Sequence, residues 1–168
     1  GAGSASSFDI IDQYVARIAE AAPAKPFRIA WDTGNGAAGP VVERLVKLLP
    51  GEHYTLFTEV DGNFPNHHPD PTEEKNLVDL KALVAEKQLD FGLAFDGDGD
   101  RLGIVTKNGS IINADRQLML FAADVLSRNP GGKIIFDVKC TRNLAPWISQ
   151  HGGTPIMWKT GHSFIKSK

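Results

Sequence analysis

The spacing of hydrophobic positions predicts helices and strands that alternate along the chain. In FDIIDQYVARIAEAA, Ile11, Val15 and Ile18 recur at the spacing of an amphipathic helix, and Pro23 ends the pattern. The run LDFGLAF is continuously apolar, which is typical of a strand covered on both faces. Between these segments, DGNFPNHHPDP is too rich in Pro, Gly and Asn for a helix or a strand. The predicted helices of this part are 8–22, 40–49 and 73–88, and the predicted strands are 27–31, 53–60 and 89–95.

A second series of elements follows a predicted hairpin, in which LGIVT and SII flank KNG. Its predicted helices are 114–129, 141–152 and the beginning of one at 162–168, and its strands are 133–138 and 154–158. This alternation predicts an α/β fold with a mixed sheet flanked by helices over 8–110, followed by a second α/β unit over 111–168. Since the last helical pattern has no cap and no partner strand, we expect the second unit to be truncated and the chain to be a fragment. Residues 1–7, GAGSASS, are expected to be a linker.

Composition narrows the class of protein. The chain has 168 residues, is 42% hydrophobic and carries a net charge of -2, so it can bury a core but lacks the basic field of a nucleic-acid-binding protein. No apolar run approaches the roughly 20 residues of a membrane span, and no secretion signal is visible. The only cysteine is Cys140, which suits a reducing compartment and predicts a cytoplasmic location.

Three aspartates at alternate positions follow the apolar run in the sequence FGLAFDGDGDR. Asp96, Asp98 and Asp100 come after the carboxyl end of a predicted strand, where ligands bind in open α/β sheets. Three carboxylates this close repel one another unless a cation lies among them. Oxygen ligands without a neighbouring cysteine argue against zinc, and Arg101 and Lys107 stand where a calcium-binding hand needs Gly and Glu. The sequence therefore favours Mg²⁺ together with a phosphate, and the alternative is a solvated acidic turn.

The sequence GNGAAG, at 34–39, raises a competing hypothesis. It fits G-x-G-x-x-G between a predicted strand and a predicted helix, and Glu59 lies twenty residues beyond Gly39, as in dinucleotide-binding domains. Asp32 argues against this, because it would place a carboxylate beside the pyrophosphate. We expect a turn that starts a helix, with Gly34 or Gly36 at positive φ.

Five segments together resemble the α-D-phosphohexomutase superfamily, most closely the bacterial phosphomannomutase/phosphoglucomutases. They are AFDGDGDR, DTGNGAAG, VDGNFPNHHPDP, FDVKCT and WKTGHSFIK, and the resemblance extends from residue 8 to residue 168. It implies that 8–110 is the second domain of such an enzyme and that 111–168 is the first part of the third. The intact enzyme would be an isomerase with four domains, which interconverts hexose 1-phosphate and hexose 6-phosphate through a phosphoserine and a bisphosphate intermediate.

The resemblance also implies roles for individual residues. Asp96, Asp98 and Asp100 would bind Mg²⁺, and Arg101 would lie near the phosphoryl group. Substrate contacts would come from Lys139, Thr160, Gly161 and His162. His162 is in addition a candidate acid/base group, and its alternative role is an ordinary helix-capping turn. His67 and His68 lie among prolines and are expected to belong to a rigid packed loop.

The chain lacks other parts of the family pattern, which keeps three hypotheses open. Neither a phosphoserine loop nor a sugar-binding loop of the Gly-Glu-Met-Ser-Gly-His type is found in the sequence. We therefore expect the isolated chain to be inactive without the phosphoserine and C-terminal segments of its parent, whose substrates would be mannose or glucose phosphates. The alternatives are an NAD-dependent oxidoreductase domain that uses GNGAAG and a non-catalytic metal-binding domain.

Overall fold

The computed structural model describes residues 3–168, and the chain divides into two compact units, the first ending at Ile111 and the second beginning at Ile112. Residues 1 and 2 of the predicted linker lie outside the described residues, and residues 3–10 are exposed and form neither helix nor strand. The first helix therefore begins at Ile11, three residues later than predicted. Within residues 3–168, no helix has both the length and the apolar character to cross a membrane.

The first unit is a five-stranded sheet with helices packed on it. Its helices are α1 (Ile11–Ala19), α2 (Gly39–Leu45) and α3 (Val78–Glu86), with a 3₁₀ turn at Glu74–Leu77. Its strands are β1 (Phe27–Asp32), β2 (Gly51–Leu56), β3 (Phe91–Phe95), β4 (Leu102–Thr106) and β5 (Ile111–Ile112). The strand order is β2-β1-β3-β4-β5, in which β1 pairs in parallel with β2 and β3, and β3 pairs antiparallel with β4. The prediction of an α/β fold with a mixed sheet is confirmed.

The second unit is smaller and contains a two-stranded parallel sheet. Its elements are α4 (Ala114–Arg128), β6 (Lys133–Phe136), α5 (Leu144–Gln150), β7 (Thr154–Met157) and α6 (His162–Lys166). Strands β6 and β7 pair with Phe136 opposite Met157. A core of α4, α5 and sheet residues holds this unit together: Ala122, Leu126, Phe136, Leu144 and Ile148.

Side chains cover both faces of the first sheet, which explains the continuous apolar run of β3. On one face, Ala94 of β3 joins a cluster with Leu80 and Val84 of α3. Alternate residues of β3, including Phe91 and Leu93, pack on the opposite face, where α2 lies. The parallel pairing brings the carboxyl ends of β1, β2 and β3 to one edge of the sheet, so the loops that follow these strands are neighbours.

Several boundaries differ from the predicted ones for local reasons. Helices α1 and α2 end early because the amides that follow them bond to carbonyls three residues back, as Ala22 does to Ala19, which tightens the last turn. Strand β2 ends at Leu56 instead of residue 60 because Phe57 adopts a φ of 54°. This left-handed backbone turns the chain out of the sheet.

We expect Leu80→Ala to lower the free energy of unfolding of the first unit by about 2–5 kcal/mol, because it leaves a cavity between α3 and the sheet. Leu80 is completely buried, whereas Leu48 is 56% exposed and provides a matched control. Urea unfolding and amide exchange of β1 and β3 would measure the loss. Equal effects of Leu80→Ala and Leu48→Ala would contradict this packing.

Candidate functional site

The loop after β3 brings three carboxylates together. Asp96 is buried, Asp98 and Asp100 are exposed, and one oxygen of each lies within 4.8 Å of the others. Gly99 has a φ of 78°, a left-handed conformation that glycine adopts without strain. The loop therefore turns tightly enough for three alternate side chains to approach one another.

Arg101 closes this loop through the carboxylate of Asp96. Its backbone N–H donates to Asp96 Oδ1 at 2.9 Å, and its Nε donates to Oδ2 at 2.6 Å. Burial acts to raise the pKa of Asp96, but the hydrogen bonds and charge of Arg101 outweigh it and lower that pKa. Asp96 is therefore ionised at neutral pH, and one of its oxygens is bound to the guanidinium.

A second carboxylate, from Asp70, holds the other side of this guanidinium. Arg101 Nη1 lies 3.3 Å from Asp70 Oδ1, which also accepts hydrogen bonds from the Thr72 hydroxyl and backbone N–H at 2.7 and 3.0 Å. These bonds from Thr72, assisted by Arg101, lower the pKa of Asp70. Arg101 is still 53% exposed, so part of its guanidinium faces solvent at the edge of the aspartate loop. Asp70 was not among the predicted site residues, because it is 31 positions away in the sequence.

The turn formed by GNGAAG contacts the backbone of the aspartate loop. The Ala37 N–H donates to the Gly97 carbonyl at 2.9 Å. Gly34 has a φ of 50° and Asn35 one of 60°, so the positive φ predicted for Gly34 or Gly36 occurs at Gly34 and also at its neighbour. Buried Asn35 donates from Nδ2 to the Glu59 carbonyl at 2.8 Å, which ties this turn to the loop after β2.

The contacts of these glycines do not favour the dinucleotide hypothesis. A methyl group on Gly36 would lie 2.8 Å from the Gly97 carbonyl oxygen, and one on Gly39 would lie 2.0 Å from the Thr58 carbonyl oxygen. Both glycines therefore permit close approach of the protein's own backbone, where a dinucleotide-binding loop would receive a pyrophosphate.

Asp32 is fully buried at the end of β1, and its partner is His67. The Nε2 atom of His67 lies 3.0 and 3.2 Å from the two carboxylate oxygens, and the Gly34 N–H donates to Oδ1 at 2.9 Å. Burial raises the pKa of Asp32, and the nearby His67 opposes that shift. The Nδ1 atom of His67 is 3.0 Å from the carbonyl oxygen of His68. His67 thus fastens the proline-rich loop to the sheet, as expected for a packed loop.

In the second unit, the predicted substrate-binding residues follow β6 and β7. Lys139 and Thr160 are exposed in these two loops, Gly161 has a φ of 125°, and His162 is the first residue of α6. Asp137, which was not among the predicted site residues, directly follows β6: its Oδ2 is 3.6 Å from Lys139 Nζ, and nearby Thr160 acts to lower its pKa. Its position after an apolar strand, like that of Asp96, is the signal that marks it.

We expect Gly36→Ala to lower the free energy of unfolding of the first unit by about 1–3 kcal/mol, because the new methyl group displaces the backbone of the aspartate loop. Gly62 has no atom within 4 Å of an added methyl group, so Gly62→Ala is the control, with an expected change below about 0.5 kcal/mol. Thermal and urea unfolding would compare the two variants. An unchanged Gly36→Ala protein would show that the two loops are not tightly packed.

Comparison with known proteins agrees with this geometry. Family models for phosphoglucomutase/phosphomannomutase match residues 11–109 as α/β/α domain II and residues 113–168 as α/β/α domain III. A Pseudomonas putida phosphomannomutase/phosphoglucomutase is 59% identical over 99% of this chain and 36% of its own length. A Neisseria gonorrhoeae phosphoglucomutase is 64% identical over 85% of this chain and 31% of its own length.

A solved structure of a Burkholderia thailandensis phosphoglucomutase/phosphomannomutase family protein superimposes with a TM-score of 0.93 at 57% identity. The match covers 99% of this chain and 37% of that protein, so the chain spans about a third of the length of these relatives. The same two matched segments contain the aspartate loop of the first unit and the Lys139 loop of the second. The chain therefore belongs to the phosphoglucomutase/phosphomannomutase family and corresponds to its domain II and domain III region.

Proposed function

We propose that this chain is part of a phosphohexomutase that interconverts hexose 1-phosphates and hexose 6-phosphates, with mannose or glucose as the sugar. The observation that carries the proposal is the convergence of Asp96, Asp98 and Asp100 beside Arg101, in a chain of this family. Residues 8–110 would be its second domain and 111–168 the first part of its third. The phosphoserine and the remaining sugar contacts would come from other segments of the parent protein, in the cytoplasm.

The aspartate loop fits Mg²⁺ by its donor chemistry. Its three candidate ligands are carboxylate oxygens that lie within 4.8 Å of one another, and oxygen is the donor that Mg²⁺ prefers. Asp98 and Asp100 are exposed, so their side chains can rotate to approach an ion. When bound, Mg²⁺ would neutralise charge on the phosphoryl group that is transferred.

Arg101 and Asp70, which lie beside the loop, have separate roles in fixing positive charge near the phosphoryl group. Arg101 neutralises part of the carboxylate charge through Asp96, and its exposed portion can donate hydrogen bonds to a phosphate. Asp70 restrains the same guanidinium from the opposite side. Phosphoryl transfer requires mainly fixed positive charge, and a guanidinium held by two carboxylates changes position little during the reaction.

The second unit would supply contacts to the sugar phosphate. Lys139 provides a positive charge and Thr160 a hydroxyl, from loops that meet at the carboxyl edge of β6 and β7. The backbone of Gly161, at a φ of 125°, allows the chain to turn into α6 next to these groups. His162, exposed at the start of α6, would then exchange a proton with a sugar hydroxyl as the acid/base group.

Asp98→Asn should weaken Mg²⁺ and Mn²⁺ binding to this chain at least tenfold, because a neutral amide oxygen replaces a charged ligand. Without metal, the thermal stability of the variant should hold or rise, since repulsion among the three carboxylates is reduced. Isothermal titration calorimetry and thermal unfolding would measure the two effects. Asp79→Asn, on the exposed side of α3, is the control, and unchanged affinity in Asp98→Asn would refute the metal site.

In the intact parent, Arg101→Ala should reduce kcat for glucose 1-phosphate about a hundredfold, because a positive charge next to the transferred phosphoryl group is lost. A coupled assay for glucose 6-phosphate, started with a sugar bisphosphate, measures the rate. The 168-residue chain alone should show no turnover, since it carries no phosphoserine loop. An active isolated chain, or an Arg101→Ala parent with full activity, would contradict these roles.

A further inference from the structure

The carboxylate of Asp137 lies where the two loops of the second unit meet. Asp137 directly follows β6, and the parallel register places Phe136 opposite Met157, so the chain leaves both strands at the same edge. Its side chain is only 13% exposed, whereas the neighbouring Lys139 side chain is 73% exposed. The carboxylate of Asp137 is therefore largely shielded from solvent, whereas the neighbouring Lys139 side chain is exposed.

Asp137 contacts Lys139 through both of its carboxylate oxygens. Oδ1 accepts a hydrogen bond from the Lys139 backbone N–H at 2.9 Å, and Oδ2 lies 3.6 Å from Lys139 Nζ. Thr160, in the loop after β7, lies near the same carboxylate and acts to lower its pKa. The Lys139 amide contributes most to lowering the pKa of Asp137, so the carboxylate is charged at neutral pH.

We propose that Asp137 is a positioning residue that fixes the Lys139 ammonium for recognition of the sugar phosphate. This inference rests on the function proposed above. Lysine has a long, flexible side chain, and the ion pair with Asp137 restricts the positions that the Lys139 ammonium can occupy. A carboxylate repels a phosphate directly, so Asp137 acts through Lys139.

The contacts themselves can be tested in this chain without any activity. In ¹⁵N spectra, the Lys139 amide resonance should move with pH at a midpoint below that of a free aspartate, about 3.9, because Asp137 loses its charge there. In Asp137→Asn this movement should vanish, and it should persist in the control Asp124→Asn, whose carboxylate lies on the exposed surface of α4. A Lys139 amide that titrates equally in Asp137→Asn would overturn the proposal.

The positioning role is tested by a double-mutant cycle in the intact parent. Asp137→Ala should raise KM for glucose 1-phosphate about tenfold with little change in kcat, as expected for loss of a hydrogen bond to a charged group. In a Lys139→Ala background the same change should raise KM less than about twofold, because the group that Asp137 positions is absent. Asp137→Asn keeps an oxygen acceptor and should restore part of the affinity.

The outcomes separate this inference from the proposed function. Equal effects of Asp137→Ala in both backgrounds would overturn the positioning role without contradicting the proposed mutase function. A wild-type parent without turnover would instead overturn the proposed function. If Asp137→Ala does not fold, as judged by circular dichroism, Asp137→Asn replaces it in the cycle, with an expected rise in KM of about threefold that must also disappear in the Lys139→Ala background.

Discussion

The contact between the GNGAAG turn and the aspartate loop is the constraint on which the rest of the first unit depends. The hydrogen bond from Ala37 N–H to the Gly97 carbonyl requires the two loops to approach within backbone distance, and only a residue without a side chain fits at Gly36. Because β1 pairs in parallel with β3, the loops that follow these two strands begin side by side. The carboxylates are thus positioned by backbone atoms, which are less mobile than side chains.

Charge balance is the second determinant of this site. Arg101 forms ion pairs with Asp96 and Asp70, whereas the exposed Asp98 and Asp100 form none within residues 3–168. The first unit therefore combines a fixed, partly neutralised carboxylate with two that can rotate. Such a combination suits a cation that must also accept a ligand from another segment, because the rigid carboxylate sets the location while the exposed ones adapt.

Much of this arrangement could be predicted from the sequence, and the remainder depends on contacts between distant residues. The apolar run that ends at Asp96 placed the aspartates at a strand end, since strand length and hydrophobicity are local properties. The left-handed backbone of Phe57 has no local signal, because aromatic residues seldom adopt it, and it arises from bonds of the Phe57 carbonyl to Thr33 and Asn35. Asp70 escaped prediction for the same reason, as its partner Arg101 lies on another loop.

The buried turn at Asn35 also bears on the chemical lifetime of the protein. Asn followed by Gly is the dipeptide most prone to deamidation, in which the glycine nitrogen attacks the asparagine side chain. Here the Gly36 nitrogen donates to the Thr33 carbonyl at 2.7 Å, and the Asn35 amide is bound at both ends, by the Glu59 carbonyl and by Asn66. In the folded turn both reacting groups are held by hydrogen bonds, so deamidation at this dipeptide requires the turn to open. The extent of deamidation after a known storage time would therefore report how often the turn unfolds locally.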